Sequence, residues 1–162
     1  MDTVNRIEVR PARREELDAV NALRRQVNDV HVQGRPDIFR PGFGPQLAGH
    51  VYEQFDSDRF GVIVALLDGK IAGFATGQYV RRPESAYNLP RDFYQVEEFG
   101  VDAAHRRRGV ASALVDYMRA DARRRGFRRI NLDVWAFNDG ALAFYKRAGF
   151  ATYRRYMEMD LD

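Results

Sequence analysis

The sequence predicts a mixed α/β domain in which an antiparallel run of strands feeds a parallel β-α-β unit. Three observations carry this. Short apolar blocks of strand length recur at 60–67, 70–80 and 93–101. Apolar positions at helical spacing mark 13–30 and 109–125. The second of these helices lies between the strand at 93–101 and another at 129–135, so a helical crossover joins the two and sets them parallel. With 162 residues, a single domain spanning 1–162 is expected.

Taken in order, Ile7-Glu8-Val9-Arg10 alternates as a short strand, and Pro11 ends it. Leu17, Val20, Leu23 and Val27 share one face of an amphipathic helix over 13–30. Gly34-Arg35-Pro36 and Arg40-Pro41-Gly42 break the chain. A second helix is expected over about 45–55, with Leu47, Val51 and Phe55 on one side. The strand at 60–67 is apolar throughout. Asp68-Gly69 is a two-residue hairpin turn, which needs φ > 0 at both positions. The chain returns at 70–80, loops over 81–92, and forms the strand 93–101. In the helix 109–125, Val110, Ala113, Leu114, Tyr117 and Met118 face the core, while Asp116, Arg119 and Arg123 face out. Gly126 stops it. Ile130, Leu132 and Val134 share one face of the strand 129–135, and Trp135 is read as core. A short helix over 138–148 ends at Gly149, and Met157, Met159 and Leu161 alternate in a terminal strand over 150–161.

Composition excludes several classes. With 45% hydrophobic, 30% charged and 12% aromatic residues, the chain can build a core and is not disordered. The longest aliphatic run, 62–67, is far short of a membrane span. Residues 1–14 hold no apolar stretch, so no secretory signal is expected, and the cytoplasm is the default. No cysteine is present, which removes disulfides, thiolate metal sites and a cysteine nucleophile. No metal cluster suggests itself. The net charge of +3 is uneven. Residues 1–100 hold 13 basic against 15 acidic residues, while 101–162 hold 13 against 8. A basic C-terminal part suits an anionic partner, either a phosphate-bearing cofactor or a nucleic acid, or it is simply a solvated arginine face.

Chemistry concentrates at Val101-Asp102-Ala103-Ala104-His105-Arg106-Arg107-Arg108-Gly109-Val110-Ala111-Ser112. A strand ends, a basic loop follows, and a helix starts on small residues. The first amides of a helix have no internal partner and, with the macrodipole, attract anions. Gly109 and Ala111 let a phosphate approach the backbone, and Arg106, Arg107 and Arg108 add charge-assisted hydrogen bonds. The loop lacks the Gly-Lys-Ser/Thr ending of a Walker A motif and the three glycines of a Rossmann turn.

Arg106-x-x-Gly109-x-Ala111 resembles the Arg/Gln-x-x-Gly-x-Gly/Ala signature of the GNAT superfamily of N-acetyltransferases. The stretch from Asn138-Asp139-Gly140 through Phe144-Tyr145 to Gly149-Phe150 resembles the second block of that family. Both blocks stand in order, with a strand between them. The resemblance is strong over 60–161 and only architectural over 1–59. It implies a GNAT-like mixed central sheet, antiparallel in its N-terminal part, with a splayed pair of parallel strands and flanking helices. It implies acetyl-coenzyme A as cosubstrate. The diphosphate would fall to the amides of Arg107, Arg108, Gly109, Val110, Ala111 and Ser112, with Arg106 opening the motif. The pantetheine arm would run beside Phe99, Gly100 and Val101, with Asn138 touching it. A bulge at Gly100 would suit the splaying.

Acetyl transfer needs a neutral amine, and a free alkyl amine is protonated at neutral pH. A carboxylate can take that proton, directly or through water. With no cysteine for a covalent intermediate, direct attack is the simplest mechanism. The resemblance gives Tyr145 the role of protonating the departing thiolate, against a packing role beside Phe144. Glu97 is the leading candidate base, because it stands where polyamine-acetylating members carry one. Simple alternation puts it with Gln95, Phe99 and Val101, and puts Glu98 on the opposite face. His31 and His50 read as surface groups, and His105 as a loop residue. The acceptor is a small-molecule or peptide amine, and Glu84, Asp92, Glu97 and Glu98 favour a cationic one. Two other functions stay open at this level: a coenzyme A-binding sensor without turnover, which Tyr145 argues against, and a nucleic-acid module. Against the latter, aromatic residues do not interleave with the arginines as a base-stacking surface requires. Tyr153, Tyr156, Met157 and Met159 at the end of the chain point to a homodimer or another contact through 150–161.

Overall fold

The computed structural model describes residues 5–162. A five-stranded sheet forms in the order β1-β2-β3-β4-β5. The strands are β1 (Ile7–Pro11), β2 (Phe60–Leu67), β3 (Lys70–Arg82), β4 (Arg91–Val101) and β5 (Ile130–Asn131), and the helices are α1 (Leu17–Gly34), α2 (Pro45–Asp56), α3 (Val110–Arg124) and α4 (Asp139–Arg147). The first four strands are antiparallel neighbours. β4 and β5 are parallel. Among the described residues no helix is long and apolar enough to cross a membrane.

The period-2 alternation of β2 divides the core between two layers. Val62, Val64 and Leu66 join Phe74 against Leu17, Val20, Leu23 and Val51 of α1 and α2. Ile63, Ala65 and Leu67 join Tyr94 and Val96 against Val110, Leu114, Val115 and Met118 of α3. Asp68 and Gly69 both have positive φ, 51° and 83°, as the hairpin turn requires. Gly126, with φ 82°, ends α3. Around it the Phe127 amide donates to the Ala122 carbonyl and the Gly126 amide to the Arg123 carbonyl.

Five expectations need correction, the last of them a consequence of the fourth. The strand at 129–135 shrinks to Ile130–Asn131, because its neighbour β4 turns away after two residue pairs. Residues 150–161 form no strand: 150–162 carry no regular secondary structure, and 151–162 are exposed. Trp135 is half-buried and belongs to neither core cluster. The bulge of β4 is not at Gly100 but at Glu97, where Thr76 pairs with Glu98 and Gly77 with Val96.

That bulge resets the alternation of β4. Tyr94 and Val96 face the α3 layer, and after the extra residue so do Phe99 and Val101. Phe99 and Val101 therefore do not share the face of Gln95. Gly100 faces α1 instead: a Cβ there would meet Val27 Cγ2 at 2.7 Å and Phe74 Cε1 at 2.9 Å. The glycine is needed for close packing of α1 on the sheet.

Candidate active site

The loop between β4 and α3 is the candidate anion cradle. Asp102 starts it by accepting the Ala104 amide at 3.1 Å. That bond, with those from Gln26 and His105, holds the Asp102 carboxyl below its usual range. Gln26 of α1 also accepts the Ala103 amide at 3.0 Å, tying the loop to the first helix. His105 is thereby engaged, its Nδ1 lying 3.2 Å from Asp102. Arg107 and Gly109 then take left-handed backbone conformations, with φ of 63° and 86°. Such reversals turn successive amides toward one concavity. Among the described residues none of the amides from Arg106 to Ser112 finds an acceptor. Arg106, Arg107 and Arg108 are exposed and pair with no described carboxylate. Unpaired backbone donors, the α3 dipole and three guanidinium groups without a described carboxylate partner thus belong to one short loop, a combination suited to a diphosphate.

Next to this cradle the sheet opens. β4 and β5 pair only at Tyr94–Ile130 and Gln95–Asn131. Beyond Gln95 the side of β4 that faced β5 has no strand partner among the described residues, and Phe99, Gly100 and Val101 line this gap. α4 stands across from it. Asn138 caps α4, its Oδ1 accepting the Ala141 amide at 3.1 Å, which leaves its Nδ2 as a donor. Seven residues on, the Tyr145 ring lies against Phe99, Phe144 and Phe150 with centroids 5.9, 5.5 and 5.7 Å away. Burial pushes its phenol up to about 12. No described residue hydrogen-bonds its hydroxyl, so the proton is free for a ligand. Tyr145 and Phe99 thus come together beside the free edge of β4, beyond its last pair with β5 at Gln95.

The two adjacent acids have different surroundings. Glu98 is held by Arg24 of α1, whose Nε and Nη2 donate to it at 2.9 Å each. Arg24 is only 2% exposed and also donates to Asn21 at 2.8 Å and to the Leu47 carbonyl at 2.7 Å. Glu98 is therefore committed to joining α1, α2 and β4. Glu97, at the bulge, has no such partner. Loss of hydration raises its carboxyl above the usual range, and the charges of Asp133 and Glu98 push the same way, with His50 opposing. A carboxylate with raised proton affinity and a free lone pair is suited to accept a proton.

A separate cluster of aromatic rings forms a wall, and its His31 feels the charge of Glu98. His31 stacks on Phe39 at 4.9 Å, Trp135 meets Phe39 at 5.2 Å and Phe137 at 6.1 Å, and the Arg35 guanidinium lies over Trp135 at 5.9 Å. Burial lowers the His31 pKa, with the charge of Glu98 opposing. Reasoning from sequence missed Arg24, Asp133 and this wall. Arg24 left one signal: it follows Leu17 and Val20 by seven and four residues, so it lies on the apolar stripe of α1. The wall left none, because its members come from α1, the α1–α2 loop and the segment after β5.

This fold and cradle define an acyltransferase architecture, and residues 32–150 match the Acetyltransferase (GNAT) family. The chain belongs to that family. Over 146 residues it is 29% identical to the acetyltransferase ECA0875 of Pectobacterium atrosepticum, which covers 90% of this chain and 89% of that one. Its fold is similar to that of a mutant of the BH1408 protein of Bacillus halodurans, with a TM-score of 0.90 at 25% identity over 95% of this chain and 99% of that one. It is also similar in fold to the aminoglycoside N-acetyltransferase AAC(6')-Iy in complex with CoA, with a TM-score of 0.77 at 19% identity over 99% and 98% of the two chains.

Proposed function

We propose that the chain transfers an acetyl group from acetyl-coenzyme A to a primary amine by direct attack. The observation that carries this reading is the opening between β4 and β5, with the unpaired amides of Arg106 to Ser112 at one end and the Tyr145 hydroxyl at the other. The diphosphate rests on the amides of Arg107, Arg108, Gly109, Val110, Ala111 and Ser112, with the Arg106 guanidinium alongside. The pantetheine arm follows the free edge of β4 at Phe99, Gly100 and Val101, and the Asn138 amide reaches it from α4. The amine attacks the thioester carbonyl carbon, the C–S bond breaks, and the thiolate takes its proton from Tyr145. The attacking nitrogen gives up its own proton to Glu97, directly or through water. The pairing of Glu98 with Arg24 supports Glu97 over Glu98 as the base.

The acceptor is a cationic amine with an apolar body. Glu97 and Asp133 attract the ammonium group, and the wall of His31, Phe39, Trp135 and Phe137 receives the carbon frame. A panel of amines assayed for thiol release from acetyl-coenzyme A tests this. Turnover is expected first among arylalkylamines and alkyl polyamines, ahead of multiply aminated sugars. Absence of thiol release with every amine, with no binding of coenzyme A, sinks the reading.

A further inference from the structure

We propose, on the reading of Glu97 as the base, that Arg24 is a positioning residue for acetyl transfer: it fixes the bulge of β4 through Glu98 and offsets the charge of Glu98 beside Glu97. Glu97 is the extra residue of the bulge, where Thr76 pairs with Glu98 and Gly77 with Val96. An extra residue has no partner of its own across the ladder. Its orientation is therefore set by its two neighbours in the chain. Val96 is buried against the α3 layer. Glu98 is held twice. Its amide donates to Thr76 Oγ1 at 3.1 Å, and Thr76 is fully buried. Its two carboxylate oxygens accept from Nε and Nη2 of Arg24.

Arg24 is itself fixed. Its Nη1 donates to Asn21 and to the Leu47 carbonyl, and its guanidinium lies over the Phe43 ring at 5.4 Å. Asn21 in turn donates to the Ala48 carbonyl at 3.1 Å. One planar group thus clamps the α1–α2 loop and the first turn of α2 to the residue that follows the bulge. A lysine ammonium could not serve these acceptors in the same geometry. A buried ion pair gains little net stability over apolar side chains of the same volume, so the fold alone does not call for an arginine here. Its charge is the second half of the role. Glu98 on the same strand and Asp133 after β5 both push the Glu97 carboxyl up, while His50 of α2 opposes them. His31 of α1 also feels the charge of Glu98. A cation paired with Glu98 reduces the repulsion between the two adjacent carboxylates.

Turnover at saturating amine and acetyl-coenzyme A, followed against pH, tests this. Glu97→Gln is the reference and should lose the fall in rate on the acid side. Arg24→Met leaves Glu98 uncompensated, so that acid limb should move up by at least about half a pH unit. Its plateau rate should fall by at least about tenfold through misplacement of Glu97, while coenzyme A still raises the melting temperature. Arg24→Lys keeps the charge without the fork, so the limb should stay in place and the plateau should still fall. Arg24→Met with Glu98→Gln removes both buried charges and preserves the fold. It should be no slower than Glu98→Gln alone, because Arg24 acts through Glu98. An acid limb that does not move in Arg24→Met, a wild-type plateau in Arg24→Lys, or losses that simply add in the double variant overturn the proposal and leave Glu97 as the base. A wild-type acid limb in Glu97→Gln overturns both.

Discussion

In the proposed mechanism Tyr145 and Glu97 carry opposite halves of one proton balance, and their surroundings suit them to it. A phenol pushed up to about 12 stays protonated across the working range, so it can always give. Tyr145→Phe keeps the ring among Phe99, Phe144 and Phe150 and removes only the proton. Since general acid catalysis is worth about 10²–10⁴-fold, turnover should fall at least tenfold while coenzyme A affinity barely moves. Wild-type turnover in that variant would make the residue a packing aromatic. Glu97 is the converse case. Its folded pKa is raised above the ordinary value of 4.5, so its ionised form weakens the folded state. That penalty is absent below the unfolded pKa and appears as pH rises through the folded one. Glu97→Gln should therefore raise the melting temperature at neutral pH and leave it unchanged in acid. It should also lower turnover at neutral pH, where the wild-type carboxylate is ionised and can accept the proton, with the two enzymes converging in acid. A variant that slows acetyl transfer while stabilising the fold would be hard to explain by structural damage.

At the scale of elements, α4 and the β4–α3 loop can each be separated into a structural and a ligand-facing part. Asn138→Ala removes the cap of α4 and should cost about 1 kcal/mol, roughly 2–4 °C in a domain of this size. Asn138→Asp keeps the accepting oxygen and loses the Nδ2 donor. Calorimetry should find it as stable as wild type, with weaker binding of coenzyme A. Equal binding by the two would confine Asn138 to capping. Elements with a strong local pattern were legible from sequence: β2 alternates cleanly, Asp68-Gly69 can hardly form anything but a tight hairpin, and Gly126 stops α3. What escaped was set by partners distant in the chain. The bulge at Glu97 depends on the register of β3 against β4 and reversed the predicted facing of Phe99 and Val101. The strand expected at 129–135 has the right residues, yet a strand needs a neighbour, and β4 supplies one for only two positions. Arg24 shows the same limit, since its acceptors come from β4 and α2.

For the molecule as a whole, the first measurement is thermal unfolding with coenzyme A. A ligand at a hundredfold excess over its Kd stabilises the native state by about 2.7 kcal/mol. Arg108→Glu should abolish the rise in melting temperature by setting a negative charge in the cradle, and Gly109→Glu should do so with added backbone strain at φ 86°. The two-rung seam between β4 and β5 has a wider consequence. Among the described residues it leaves everything from β5 onward only two strand pairs with the sheet, Tyr94–Ile130 and Gln95–Asn131, beside side-chain packing such as that of Phe144 and Tyr145 on Phe99. Regions so weakly joined exchange their amide hydrogens through partial opening, well below the free energy of global unfolding. The amides of β5 and α4 should accordingly lose protection together and earlier than those of β2 and β3. A cofactor lying in the gap would stitch the two parts into one cooperative unit. Exchange of β5 and α4 should then slow toward that of the central strands when coenzyme A is added, making the small molecule the missing strand of the protein that binds it.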